Sequence, residues 1–435
     1  MFDSLLFLYF FTLHADKLHF PIGGFSFRLN NLIALMLLCV FAFRYRSKLF
    51  RIDRALCISL LILTASLTLS FLLSPYKKRC FFFLCWYGFI LIMYFLLPYL
   101  LIRYHDHKKV LSLYLLSFLC VGIYALLQLL FSLVGLNDPF AQQFISGTIV
   151  RSNAFSYEPS FYALYMTPFI VMVNYHFLAD REQPFYFFGK LTYPKILFIN
   201  FLYFSSTSTS TIFAFAIFCF CLLFFSQVRR HLWKFCVAFT CLFCLLGIIS
   251  PFLMQKFFLK FFYSGLGHGS FMERWTGIVN AWKVFLTHPY FGVGLGGYPS
   301  YMYDAFLSGT AQFTFYEFSF SDRLNPLKNF EPTNVFTEIM ASIGIVGALA
   351  FVALIFIFAA RAKKAIQIDR TAGCSLLLSV LVMVIVLQFN QGVFRTYVWT
   401  HLALAFALVE RIVLELKPLE ASFEYTNPKK LAQFL

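Results

Sequence analysis

Charge is what this sequence has least of. Only 12% of its 435 residues are Asp, Glu, Lys or Arg, while 60% are hydrophobic. An ordinary soluble domain carries roughly 45–50% apolar residues, so a soluble globular enzyme is excluded. The patterns of hydrolytic and metal chemistry are also missing. There is no His-Glu-x-x-His, no Asp-x-Asp and no Gly-x-Ser-x-Gly, and the nine His are scattered. No metal and no cofactor is expected. The eleven Cys lie almost entirely inside apolar runs (Cys39, Cys57, Cys120, Cys219, Cys221, Cys236, Cys241, Cys244, Cys374), with no CxxC beside a His cluster. They read as small packing residues, neither disulfides nor metal ligands. Leu5–Thr12 lacks a basic start and a small-residue cleavage site, so it reads as part of a first span and not as a cleaved signal.

What the sequence has is apolar runs of about twenty residues, the length a helix needs to cross the hydrocarbon core. They do not alternate in polarity, which excludes β-barrel strands. The fold class expected is all-α, a polytopic integral membrane protein of about twelve transmembrane helices. The spans fall at 2–13, 29–43, 55–74, 81–102, 110–135, 160–179, 192–205, 211–227, 235–254, 334–360, 372–390 and 396–415. Residues 1–435 form a single membrane domain, with a large external loop at 255–333 between the ninth and tenth spans. A loop of that size is usually functional.

The formal charge of +16 sits in short clusters between spans, as the positive-inside rule expects, and does not indicate nucleic acid. Arg44, Arg46, Lys48, Arg51, Arg54, Arg103, Lys108, Lys109, Arg181, Lys190, Arg229, Arg230, Lys234, Arg361, Lys363, Lys364 and Arg370 fall in one set of loops. The alternate loops hold Lys17, Arg28, Lys77, Lys78, Arg79, Arg151 and Arg395. The richer set faces the cytoplasm, and both termini with it. Lys77, Lys78 and Arg79 run against the rule.

Three polar groups then share the external face. The first runs from Arg151 to Glu158-Pro159-Ser160, where Ser160 reads as the cap and Pro159 as the first turn of the sixth span. Glu158 there would complement the helix dipole or serve a site. The second is Glu273-Arg274-Trp275, then Trp282, then His288-Pro-Tyr-Phe-Gly292-Val-Gly294-Leu-Gly296-Gly297. Glu273–Leu286 reads as a helix with Trp275, Val279 and Trp282 on one face, lying on the membrane surface. The Gly run permits a sharp turn or a close backbone approach. It lacks the Lys of a P-loop, so nucleotide binding is excluded. The third is Glu331-Pro-Thr333-Asn334 with Glu338 one turn into the tenth span, followed by Gly344 and Gly347, read as helix-packing glycines. A carboxylate at that depth needs a partner or a site. The Ser/Thr run 205–211 reads as a polar turn.

Together these groups resemble the O-antigen polymerase and O-antigen ligase family of membrane glycosyltransferases, over roughly residues 145–350. Arg274-Trp275 followed by His288–Gly297 is similar to the family's Arg…Trp…Pro…Gly-x-Gly-x-Gly signature, although Trp follows Arg directly here. Arg151…Glu158-Pro-Ser160 resembles its Arg…Glu-Pro-Ser segment. Thr333-Asn334…Gly344-Ile-Val-Gly347 is similar to its closing His-Asn…Gly-x-x-Gly pattern except at the first position. Ligases of the family carry His where Thr333 stands, so the resemblance implies a polymerase, with ligase as the alternative. It implies transfer of a growing glycan from undecaprenyl pyrophosphate to the hydroxyl of a second lipid-linked repeat unit, at the periplasmic face of the bacterial inner membrane. The partners implied are undecaprenyl-pyrophosphate-linked glycans, membrane lipids and a chain-length regulator.

A pyrophosphate leaving group needs cations, and Arg forks hold phosphate oxygens bidentately. The acceptor hydroxyl needs a base, ordinarily a carboxylate. Arg151, Glu158 and Arg274 are the residues expected in catalysis, with Glu331 or Glu338 second to Glu158 as base. His288, Gly292, Gly294, Gly296, Glu331, Asn334 and Glu338 are expected to bind substrate. A transporter would need charges at mid-membrane depth or paired broken helices, and few charges and no repeat are present. A scaffold would not need Arg151, Arg274 and the Gly run on one face.

Overall fold

Lipid offers no hydrogen bonds, so long apolar segments satisfy their own backbone as helices. The computed structural model describes residues 2–22, 25–47, 52–136, 138–141, 144–145, 149–206, 208–225, 228–229, 232–233, 237, 270–310, 313, 327, 330, 334–389 and 394–424. The chain opens with α1 (Phe2–Phe11) and a hairpin of β1 (His19–Ile22) and β2 (Phe25–Arg28), with His19 opposite Arg28. Helices α2 (Leu29–Arg44) and α3 (Arg54–Leu73) follow. Then α4 (Lys77–Ile90), a π-helical turn (Leu91–Leu96) and α5 (Leu97–Tyr104) make one continuous helix. After α6 (His107–Leu133) comes a short pair, β3 (Phe144–Ile145) and β4 (Ile149–Val150). The remaining helices are α7 (Pro159–Asp180), α8 (Tyr193–Phe204), α9 (Thr209–Leu222), α10 (Ser270–Thr287), α11 (Tyr298–Leu307), α12 (Val335–Ile368), α13 (Arg370–Val386) and α14 (Thr396–Glu424).

Six described helices are long and apolar enough to cross a bilayer: α3, the α4–α5 helix, α6, α7, α12 and residues 396–414 of α14. Phe2–His14, Leu29–Arg44, Ser210–Leu222 and Arg370–Val386 are apolar but shorter. The chain is a helical membrane protein, but the count of twelve spans does not follow from it. The expected span at 235–254 lies outside the described residues, and that at 192–205 is the twelve-residue α8. Two boundaries also move. Lys77, Lys78 and Arg79 are the first turn of α4, and Arg361, Lys363 and Lys364 belong to the last turns of α12. Basic side chains at helix ends extend to the interface, so charge clusters overstate loop length.

Helix α7 is the centre of the bundle. It is among the least apolar of the six spans, yet 94% of its membrane-length window is buried. Because protein surrounds it, it can carry Tyr162, Tyr165, Thr167 and Asn174, whose polar atoms bond to neighbours. The Asn174 and Asn200 amides exchange hydrogen bonds of 2.9 and 3.0 Å, the polar glue of membrane helices. The more hydrophobic α3 is only 39% buried and turns Leu61, Ile62, Leu72 and Leu73 outward. The π turn has a similar logic. Pro98 lacks an N–H, the helix widens before it, and the Met93 carbonyl accepts the Tyr9 hydroxyl at 2.9 Å.

Charged groups gather at the two ends of the bundle. At one end Arg103 meets Glu410 at 2.9 Å, Arg361 meets Asp53 at 2.6 Å, and Lys109 and His105 meet Asp3. At the other lie Asp16, Arg28, Arg151, Glu158, Arg274 and Arg395, described below.

Helix α12 breaks at Gly344, whose φ of 65° and ψ of −168° are non-helical. The freed backbone pairs with the His288–Gly297 segment. Val293 and Gly294 donate to the Ala341 and Ser342 carbonyls at 3.0 and 2.8 Å, and Ile345 donates to the Pro289 carbonyl at 2.8 Å. Irregular backbone at membrane depth is tolerated where protein buries it. Gly344 is therefore a backbone break, more than the packing contact the sequence suggested. A Cβ there would overlap the Tyr290 carbonyl and the Phe291 nitrogen. Gly344→Ala combines that overlap with a backbone region that costs about 1–3 kcal/mol for other residues. Its expected result is a lower melting temperature and poorer yield of monodisperse protein in detergent. Wild-type melting would show that the break tolerates a side chain.

Candidate functional site

One amide anchors the start of the segment from Arg151 to Ser160. Gln128, fully buried on α6, accepts from the Asn153 and Ala154 N–H groups at 3.2 and 2.9 Å and donates to the Ala154 carbonyl at 3.1 Å. Ala154 sits at φ 48°, a left-handed conformation that costs energy outside Gly and persists where surroundings enforce it. Phe155 stacks on Tyr124 at 4.3 Å, and the Ser156 hydroxyl donates to the His14 carbonyl at 3.1 Å. A loop this constrained fixes the side chains on both its flanks.

Those flanks are Arg151 and Glu158. Glu158 is the N-cap residue of α7, with Pro159 in the first turn; Ser160 lies inside the helix, not at the cap. The Glu158 carboxylate takes no hydrogen bond from the helix N–H groups. It accepts the Ser160 hydroxyl at 2.9 Å instead. Partly buried Arg151 feels three influences. Burial pushes its guanidinium pKa below the ordinary value, the Glu158 charge raises it, and the Arg274 charge lowers it. Two guanidiniums from distant parts of the chain thus lie within electrostatic range of each other and of one carboxylate.

Arg274 is carried by α10, which packs on α12 through Ala281 and Val284. The opposite stripe is exposed, with Trp275 at 55% and Trp282 at 46%, an aromatic face suited to the membrane interface.

The glycine turn serves packing. Gly292, Gly294 and Gly296 have φ of 64°, 102° and 71°. A Cβ on them would run into the α12 backbone, Ser74 with Cys80, and the Phe83 ring respectively. Ser70 and Ser74 of the α3 end donate to the Phe291 and Val293 carbonyls at 2.7 and 2.6 Å. Arg79 donates through Nε to the Gly296 carbonyl at 2.6 Å and lies over the Phe83 ring. That contact gives Arg79, an exception to the charge rule, a structural role. The His288 ring bonds the Thr287 hydroxyl at 2.9 Å and packs edge-on to Tyr301.

Asn334 caps α12. Its Oδ1 accepts from the Phe336 and Thr337 N–H groups at 3.0 Å, and its Nδ2 donates to the Gln388 carbonyl and side-chain oxygen at 2.9 Å. Glu338 lines a cavity of about 20 Å³ with Tyr87, Leu295, Ser342, Phe394 and Trp399, room for about one water. Burial, then the Glu338 charge, raises the Tyr298 hydroxyl pKa. Glu331 and Thr333 lie outside the described residues.

A further cluster is not visible in any motif. Asp16, fully buried, pairs with Arg28 at 2.6 Å and with Arg395 at 3.2 Å. The Arg395 guanidinium carbon stands 3.5 Å from the Phe161 ring centroid, three residues beyond Glu158. The Tyr397 hydroxyl is buried and has no hydrogen-bond partner among the described residues. Asp16 carries no motif, and Arg28 and Arg395 entered the sequence reading only as loop charges. At this end of the bundle, four guanidiniums face two carboxylates.

A search of curated proteins returned no match. Residues 194–352, which include all of α8 but its first residue, α10, the glycine turn and the break at Gly344, match the family model described as O-antigen ligase. Over those residues, fewer than half of the 435, this helical membrane protein is similar to the O-antigen ligase family.

Proposed function

We propose that this protein joins undecaprenyl-pyrophosphate-linked repeat units into a surface polysaccharide at the periplasmic face of the inner membrane. What supports the reading is the similarity of residues 194–352 to the family model described as O-antigen ligase, together with the Glu158 and Arg274 charges that act on Arg151. In the reaction, a hydroxyl of the acceptor glycan attacks the anomeric carbon of the donor glycan. A carbon–oxygen bond forms there as the carbon–oxygen bond to the pyrophosphate breaks, and the electron pair leaves on the pyrophosphate. Arg151 and Arg274 hold that growing negative charge, and preorganised cations at a site of charge development are worth most where water is excluded. Glu158 takes the hydroxyl proton. In this reading the charge balance is met by the Arg151 and Arg274 guanidiniums. His288, Asn334 and the glycine turn hold the frame beside which the glycan binds. Glu338 is the reserve carboxylate.

The loop charges support cytoplasmic termini, and alkaline phosphatase fused at residue 415 should be inactive. A regulator of chain length is a further partner of this reading.

Ligation of finished polymer to a lipid core is the second reading, favoured by the description of the matched family. Against it, Thr333 stands where the resemblance gives ligases a His. The glycan of a deletion strain decides. Single-repeat glycan at the surface is the result expected of a lost polymerase. Full-length polymer held on carrier lipid would mean a ligase, and an unchanged surface would sink both.

A further inference from the structure

The end of α7 away from Glu158 is poorly terminated. The last carbonyls of an α-helix have no donor within it, and among the described residues no backbone N–H of the following loop bonds to the Leu178, Ala179 or Asp180 carbonyl. Asp180 closes the helix and so sets a carboxylate at the negative end of its dipole, where a cation is favoured and an anion is not. Half-buried Asp180 makes no ion pair or hydrogen bond among the described residues. Its neighbours are engaged with one another. Glu182 is held by Lys190 and, at 3.6 Å, by Nε of Arg181. The charges of Asp180, Arg181, Glu182 and Lys190 balance, but unevenly: Glu182 has two cations and Asp180 has none.

This turn also walls a cavity of about 240 Å³, which runs from Phe177 to Glu182 and is bounded by Tyr193 at the start of α8. A single water needs only about 10–15 Å³. One side of the cavity is apolar. The Phe177 and Tyr193 rings meet edge to face at 4.9 Å. Tyr193 is exposed, as are Phe187 in the loop between α7 and α8 and Phe198 further along α8. Exposed aromatics at the end of a span suit the membrane interface.

We propose that this cavity holds the headgroup of a phospholipid with a primary ammonium, of the phosphatidylethanolamine class. The ammonium has three N–H donors. They meet the Asp180 carboxylate and the open carbonyls at the end of α7. The phosphate takes donors of the Arg181 fork, whose described contact with Glu182 is through Nε, and the acyl chains lie along the exposed aromatics of α8. A headgroup with one charge of each sign fits adjacent residues of opposite charge in a wall that is neutral as a whole. A choline headgroup has the cation but no N–H. A glycerol headgroup has no cation and would leave Asp180 unpaired beside a phosphate. The site lies about 33 Å along α7 from Glu158 and is independent of the reaction proposed above.

The test is a melting titration of the full-length protein, purified and delipidated in detergent, with short-chain phosphatidylethanolamine, phosphatidylcholine and phosphatidylglycerol. Wild type should bind the first at least about ten-fold more tightly than either of the others, as added charge-assisted hydrogen bonds would give. Asp180→Asn should bring the three lipids to within about three-fold of one another. Arg181→Ala should weaken all three, because each carries the phosphate. Misfolding is guarded against by the sign of the dipole effect. Asp180→Asn removes an anion from the negative end of α7, so without lipid it should melt at or above wild type. A folded Asp180→Asn that keeps the full preference overturns the proposal, and so does a wild type that binds the three lipids alike. Free phosphoethanolamine is the last arm. If it raises melting at the same concentrations as the lipid, the occupant is a soluble amine and the lipid assignment fails.

Discussion

Arg274→Ala is expected to abolish polymer while leaving a folded protein, and Arg151→Ala to do the same. Each removes one cation from the site of charge development, where a lost donor costs on the order of 100- to 1,000-fold in kcat. The two changes should also act on stability in a direction that separates chemistry from folding. The Arg274 charge opposes that of Arg151 in the protein without substrate, so deleting Arg274 relieves a repulsion. Melting of Arg274→Ala at or above wild type, together with lost turnover on purified lipid-linked substrate, is the outcome expected of a site that stores strain for function. Lys at either position should rescue poorly, because an ammonium is a point charge without the bidentate fork. Normal polymer from both Ala variants would remove the clamp from the mechanism.

How far the sequence reveals this depends on whether a feature is local. Spans such as α3 and α6 are continuous apolar runs and can be read directly. So can Arg151 and Arg274, since each sits inside a short recognisable string. The Asp16 cluster has no such string: Asp16 and Arg28 flank the β1–β2 hairpin, Arg395 comes from far along the chain, and only the folded bundle brings it to them. Glycine is ambiguous in a different way. Gly292, Gly294 and Gly296 suggest backbone near a ligand, but the space beside each is filled by Ser342, Ser74 and Phe83. The sequence shows that a side chain is excluded, not what excludes it. Helix α7 is legible as a span but not as the central one, because centrality appears as reduced apolarity, which a hydropathy reading counts against it.

Helix boundaries fail for an electrostatic reason. Lys77 and Arg79 read as a loop because lipid repels charge, yet both are helical. Lys77 folds back onto the Phe71 and Leu72 carbonyls at the end of α3, and Arg79 reaches the Gly296 carbonyl. Cations there satisfy carbonyls that a helix end or a turn leaves open. Of the residues that break the charge rule of topology, Arg79 locks the glycine turn to the bundle and Lys77 caps the end of α3.

Glu158→Gln is expected to leave at most a trace of polymer. Removing a general base costs roughly 100- to 10,000-fold in rate, and Gln keeps the shape of the side chain and an oxygen to accept the Ser160 hydroxyl. Stability should change little on that account. The rival role is that Glu158 only steadies Arg151 by its charge. The two roles give different pH behaviour. A base acts in its ionised form, so the wild-type rate should rise with pH through a single ionisation and level off. Glu158→Gln should flatten that limb along with the loss of rate. If Glu158 only steadied Arg151, Gln would weaken substrate binding, and a residual rate would keep the wild-type dependence on pH. Steady-state turnover of purified protein on lipid-linked substrate across a pH series measures both. Near-normal turnover with an unchanged profile would exclude Glu158 from either role. Glu338, which lines the cavity with Tyr87 and Trp399, would then be the carboxylate to replace next. Its position inside α12 predicts a different signature, because charge removed from a partly buried site within the bundle should shift melting as well as rate.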